Sequence, residues 1–186
     1  MATKGVRISG GTARGVPLTE PRGVRLRPTS GLVREAMFNI LGAKVEGAAV
    51  LDLYAGTGAL GIEALSRGAA SATFVEGEPG AVQAILQSLA RTGFSAEGKV
   101  VRGRLPAALS SVDGPFDIIF MDPPYNDPAA EETLLKAEPL LAPGGTFVYE
   151  HGSRYNPPQR LGGLVLLERR TYGDSAIALY VHEEGE

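Results

Sequence analysis

Two short stretches carry residue types that could do chemistry together. In the first, Val50-Leu51-Asp52-Leu53-Tyr54-Ala55-Gly56-Thr57-Gly58-Ala59-Leu60-Gly61, the glycines at 56, 58 and 61 form G-x-G-x-x-G between a strand-like and a helix-like run. Glycines at that spacing permit a tight turn and let the backbone approach a ligand closely. The neighbouring charges narrow the ligand. A pyrophosphate favours a helix N-terminus with no carboxylate nearby, yet Asp52 stands four residues before Gly56 and the loop holds no Lys or Arg. A carboxylate there suits a ligand bearing an ammonium and a sulfonium, S-adenosylmethionine. Glu76 closes the next strand-like run, where an acidic side chain can accept from both hydroxyls of a ribose. The expected cofactor-binding residues are Asp52, Tyr54, Ala55, Gly56, Thr57, Gly58 and Glu76.

The second stretch, Phe116-Asp117-Ile118-Ile119-Phe120-Met121-Asp122-Pro123-Pro124-Tyr125, is an apolar strand ending in Asp-Pro-Pro-Tyr. Pro123 and Pro124 fix φ and remove two amide donors, so the carbonyls project rigidly at the strand's C-terminal edge. An exocyclic amine of a nucleobase is a poor nucleophile because its lone pair is delocalised into the ring. The Asp122 carboxylate and the Pro123 carbonyl can accept its two N–H bonds and localise that lone pair, while Tyr125 offers a face for the flat base. Asp122, Pro123, Pro124 and Tyr125 are therefore the expected catalytic group, with no metal and no covalent intermediate required.

Composition excludes other chemistries. The chain has no cysteine, so disulfides, Cys zinc sites, iron–sulfur clusters and thiolate nucleophiles are ruled out. Its two histidines, His151 and His182, lack metal-ligand spacing. No apolar run approaches the ~18 residues of a membrane span, and the N-terminus lacks the apolar core of a secretory signal. A cytoplasmic location follows as the expectation.

Charge is uneven along the 186 residues. The whole chain carries a net charge of -3, but residues 1–41 hold seven basic side chains against Glu20 and Glu35, a net of +5. Of these, Arg7, Arg14, Arg22, Arg25, Arg27 and Arg34 are the expected RNA-binding residues, because a basic arm on an acidic body suits local phosphate contact. Phe38 is the arm's one aromatic residue, so it is no stacking platform.

The elements that would position these groups follow from periodicity. Val6–Ser9 and Gly15–Leu18 read as short strands around a turn, and Thr29 or Ser30 can cap a helix whose apolar residues run to Leu41, with Gly42 as its stop. From Ala49 onward, strand-like runs at 49–53, 72–76, 99–102, 116–121 and 146–150 alternate with helical stretches at about 59–67, 79–92, 104–111 and 128–141. This pattern implies a mostly parallel sheet covered on both faces. Two further runs, Leu164–Arg170 and Ser175–His182, have no helix between them and read as an antiparallel hairpin at the end of the sheet. The organisation expected is an arm and helix over 1–42 and an α/β domain over 43–186.

Asp-Leu-Tyr-Ala-Gly-Thr-Gly followed by Asp-Pro-Pro-Tyr resembles the amino-group methyltransferases that use S-adenosylmethionine. The flanks, Arg7-Ile8-Ser9-Gly10-Gly11, Arg27-Pro28-Thr29, Val33-Arg34-Glu35-Ala36-Met37-Phe38-Asn39-Ile40-Leu41 and Tyr172-Gly173-Asp174, make the chain similar to the bacterial small-subunit rRNA guanine-N2 methyltransferases of the methyltransferase D type over residues 5 to 181. The resemblance implies a Rossmann-like class I fold: a seven-stranded, mostly parallel sheet with an antiparallel edge strand and helices on both faces. It also implies methylation of one guanine of 16S rRNA on assembled small subunits, with the arm facing the rRNA; apart from the resemblance, the chain is expected to be a monomer. Two positions depart from the family pattern: Gly31-Leu32 replaces the usual Asp-Arg, and Gly103-Arg104 stands where an Asp or Asn commonly reads adenine.

Asp-Pro-Pro-Tyr by itself also fits adenine N6 of a nucleic acid or a glutamine amide of a protein, because these present the same N–H geometry. A nicotinamide oxidoreductase is disfavoured by Asp52, and a non-catalytic RNA-binding module by the intact Asp122–Tyr125.

Overall fold

The computed structural model describes residues 5–21 and 30–183. The expected RNA contacts Arg22, Arg25 and Arg27 lie outside the described residues.

Helix α1 (Gly31–Leu41) begins where Ser30 accepts the Val33 N–H at 3.2 Å, and ends at Gly42, whose φ of 52° suits a residue without Cβ. Ser30 fills the capping role, and Thr29, the other candidate, lies outside the described residues. Before it, residues 6–18 pair through a single antiparallel bridge, Arg7 with Pro17, and the bonds Ile8 N–H to Val16 O and Leu18 N–H to Val6 O. The two short strands are thus one bridged turn.

The body alternates β1 (Ala49–Leu53), α2 (Ala59–Ser66), β2 (Ser71–Glu76), α3 (Pro79–Thr92), β3 (Gly98–Arg102), β4 (Phe116–Met121), α4 (Ala130–Ala137) and β5 (Leu141–Gly152), and closes with β6 (Arg160–Leu161), β7 (Leu164–Tyr172) and β8 (Ser175–His182). The sheet order is β3-β2-β1-β4-β5-β8-β7-β6, parallel from β3 to β5, with β8 antiparallel to both β5 and β7. The seven expected strands are all present, and the two-residue β6 adds an eighth. Of the expected helical stretches, 104–111 contains only a 3-10 turn over Ala107–Ser111, and 128–141 shortens to α4 plus a 3-10 turn at Glu138–Leu140. Pro106 and Pro139 account for both, since a proline is tolerated only in the first turn of a helix.

Alternate residues of the central strands face opposite layers. Val50, Ile118, Phe120 and Val148 pack with the helices α1, α2 and α3, whereas Leu51, Leu53, Ile119, Met121, Phe147 and Tyr149 pack with α4 and the Ala107–Ser111 turn. The arm belongs to the first layer: Ile8, Ala13, Leu18, Val33, Met37, Phe38 and Leu41 are buried in the same cluster as Ile62 and Phe74. Helix α2 is consequently buried at every position, between sheet and arm.

Candidate active site

In a sheet of this order the strand connections reverse between β1 and β4, and the crevice beyond the carboxyl ends of the strands at that point is where ligands bind. A cavity of about 770 Å³ lies there. Asp52, Tyr54, Ala55, Gly56, Thr57 and Glu76 line it together with Asp122, Pro123, Pro124 and Tyr125. All but one of the expected cofactor and catalytic residues are thereby brought to a single wall.

The exception is Gly58, which shapes the loop instead. Its φ of 75° makes the left-handed turn into α2, and its N–H bonds to Ala55 O at 2.7 Å. The third glycine of the motif acts through contact. A Cβ at Gly61 would sit 2.3 Å from the Phe74 ring, so only glycine lets α2 pack this closely on the sheet. Gly61 also donates its N–H to Asp52 Oδ2 at 2.9 Å.

Tyr54 holds φ at 58°, and it is the one non-glycine residue with positive φ among those described. The left-handed conformation costs a side-chain-bearing residue roughly 1–2 kcal/mol. Its hydroxyl is 2.9 Å from Thr133 Oγ1 on α4, a bond that ties the glycine loop to the helix following Asp-Pro-Pro-Tyr.

Glu76 is oriented by two amides: Gly56 N–H donates to Oε2 at 2.7 Å and Glu78 N–H to Oε1 at 2.9 Å. Each oxygen keeps a second lone pair for a ligand hydroxyl. Asp52 is 1 % exposed. Burial holds its carboxyl well above the ordinary carboxylate range, the Gly61 N–H opposes this, and the Asp122 and Glu76 charges add to the rise. Five acidic side chains line the cavity, Asp52, Glu76, Glu78, Asp122 and Glu150, and this acidic lining, with one member ionising with difficulty, favours a cationic ligand. The donor set therefore fits S-adenosylmethionine, with Asp52, Glu76 and the 54–57 loop to hold it.

Pro123 is buried, and Tyr125 is exposed with its hydroxyl 2.6 Å from Ser175 Oγ at the start of β8. The ring edge lies against Gly152, where a Cβ would come within 3.8 Å. Tyr125 is thus steered by β5 and β8 so that its ring flanks the cavity.

Several wall residues escape the sequence patterns. Ser30, Glu150 and Ser175 line the cavity, and Arg104 does so as well while lying 3.9 Å from Glu78. Glu150 ends the strand-like run 146–150 as Glu76 ends its own, and that parallel is the signal that could have found it. At the departure Gly103-Arg104, the Gly103 N–H is occupied by Glu76 O at 3.0 Å.

The arm divides its arginines. Arg7 and Arg14 are exposed, with Arg7 Nη1 donating to Gly15 O at 2.8 Å. Arg34 corrects the expectation of phosphate contact. It is 4 % exposed, its Nε lies 3.3 Å from Glu63 Oε2, and its Nη2 donates to Arg7 O at 2.6 Å. Its guanidinium is consumed inside the protein.

Sheet order, the glycine loop and the acidic cavity together define an S-adenosylmethionine-dependent methyltransferase of class I. Residues 6–181 match the family described as "Conserved hypothetical protein 95". The chain is 36 % identical over 184 residues to Ribosomal RNA small subunit methyltransferase D of Escherichia coli K12, covering 97 % of this chain and 92 % of that protein. It is 34 % identical to the putative rRNA methyltransferase YlbH of Bacillus subtilis strain 168, over 94 % and 98 % of the two chains. The structure of the putative methyltransferase yhhF from Escherichia coli superposes with a TM-score of 0.84 at 36 % identity, over 96 % of this chain and 98 % of that one. The chain belongs to the bacterial small-subunit rRNA methyltransferase D family.

Proposed function

We propose that the protein transfers a methyl group from S-adenosylmethionine to the exocyclic N2 amine of one guanine in 16S rRNA, on assembled small subunits, as a cytoplasmic monomer. The observation that carries this reading is the single cavity in which the carboxylates Asp52 and Glu76 meet Asp122-Pro-Pro-Tyr. Near-complete coverage of rRNA methyltransferases by the chain supports the substrate class over a DNA or protein amide.

When bound, the cofactor supplies an electrophilic methyl group on a sulfonium. The chain's own groups then need only bind, orient and accept hydrogen bonds. Asp122 and the Pro123 carbonyl would accept the two N–H bonds of the amine and aim its lone pair at the methyl group, and Asp122 would take the proton the nitrogen sheds on methylation. Tyr125, tethered to Ser175, supports the base. The arm over 1–42, with Arg7 and Arg14 exposed, would meet rRNA phosphates, and the domain over 43–186 would carry the chemistry.

Asp122→Ala tests the assignment. The expected result is a loss of turnover of ~100-fold or more with S-adenosylmethionine affinity within a few-fold of the wild type. Retained turnover in that variant contradicts the mechanism.

A further inference from the structure

Along the cavity wall, the sheet sets out its polar groups in strand order. Glu76 leaves β2, Asp52 lies on β1, Asp122 follows β4, Glu150 lies on β5, and Ser175 begins β8. The first two hold the cofactor, and the third is the acceptor site of the reaction. A base stacked on Tyr125, whose ring lies against Gly152 and whose hydroxyl meets Ser175, would extend from Asp122 toward β5 and β8. Glu150 is the one carboxylate there, 3 % exposed and lining the cavity.

Register places it beside Asp122. Phe120 pairs with Val148 and Met121 with Tyr149 in the parallel β4–β5 ladder, and continuing that register by one residue sets Asp122, just past the end of β4, against Glu150. Phe120 and Val148 pack on the same face of the sheet, and Asp122 and Glu150, each two residues further on, continue it. Neighbouring strands are ~4.8 Å apart, so carboxyl groups from the two positions can reach the edge of one base.

Guanine is the base whose edge matches such a pair. Its exocyclic N2 amine and its ring N1–H are adjacent donors. Adenine presents a donor amine beside an N1 acceptor, whose lone pair a carboxylate repels. A protein amide offers no third N–H in that position. A site that reads an N–H through a buried acceptor rejects analogues that lack it, because the buried group is left unpaired.

We infer that Glu150 is the specificity-determining residue of the acceptor site, accepting the guanine N1–H while Asp122 and the Pro123 carbonyl hold the N2 amine. The inference rests on the guanine-N2 reading above and assigns the choice of base to one side chain on β5. Glu150 touches the ring edge, whereas the bond-forming nitrogen belongs to Asp122.

The test uses the full chain and small subunits reconstituted with 16S rRNA carrying either guanine or 2-aminopurine at the methylated position. 2-Aminopurine keeps the N2 amine but has an acceptor at N1. The expected wild-type preference for guanine is about 10-fold or more in kcat/KM. In Glu150→Gln the amide can accept from one ring and donate to the other, so the preference should fall to within about 3-fold while S-adenosylmethionine affinity is unchanged. If Glu150→Gln slows both substrates equally and leaves the ratio intact, Glu150 merely supports the fold and the inference is overturned. A wild-type enzyme that methylates no guanine overturns the substrate reading as well, which separates the two failures.

Discussion

A carboxylate as buried as Asp52, 1 % exposed, is costly to ionise unless a cation faces it. Its folded-state pKa lies above the unfolded value of 3.8, so in the window between them the cofactor-free protein holds a proton that the unfolded chain has lost. Stability from this group therefore falls as pH rises through that window. A cationic ligand favours the ionised form, so binding there releases a proton and tightens with rising pH. Calorimetric titration of S-adenosylmethionine in two acidic buffers of different ionisation enthalpy should show that release, and Asp52→Asn should abolish it. An equal release in Asp52→Asn contradicts the role given to Asp52. Asp52 and Glu76 were legible because they end apolar runs beside glycines. Tyr54 was legible as a loop residue, but its left-handed backbone and its bond to Thr133, 79 positions away, come from tertiary packing. Arg34 misled by charge alone. Its spacing to Phe38 and Leu41 is helical, which places it on the apolar face of α1 where it is found.

Helix α2 shows how arm and catalytic body are joined. Buried at every position, it carries one carboxylate, Glu63, with no exposure. Glu63 accepts from Ser9 N–H at 2.9 Å, Ser9 Oγ at 2.7 Å, Gly10 N–H at 2.8 Å and Arg67 Nε at 3.0 Å, with Arg34 also paired to it. The bridged turn, α1 and α2 therefore share one buried charge. Removing one member of such a network leaves the others uncompensated at a cost of about 3–5 kcal/mol. Glu63→Ala should lower the urea midpoint accordingly, and Arg34→Ala should act in the same direction through stability. A change below about 1 kcal/mol in Glu63→Ala contradicts this account of how the arm is held. Strand and helix order was readable because the apolar period switches cleanly between two and 3.6. The Glu63 network was not, since nothing local in α2 reveals a partner more than 50 residues earlier. β6 was likewise hidden, because two residues cannot show a period.

Taken whole, the molecule gathers Asp52 of β1, Glu76 of β2, Asp122 just past β4 and Glu150 of β5 around one cavity, and packs its arm into the same core, with Ser30 at the start of α1 lining that cavity. Charge divides along the chain, +5 in residues 1–41 against -8 in the rest, so under the proposed function substrate phosphates would favour the arm and a cationic cofactor the cleft. Among the described residues no helix is long and apolar enough to cross a membrane, and no cluster of His, Asp and Glu could hold a metal ion. The central claim is methyl transfer to guanine N2 of small-subunit rRNA. Its most direct measurement incubates the protein with methyl-labelled S-adenosylmethionine and undermethylated small subunits, their naked RNA or a protein extract, and identifies the labelled product by nucleoside mass spectrometry. The account predicts label in N2-methylguanosine, with assembled subunits the better acceptor. Label in methyladenosine or in protein would contradict it.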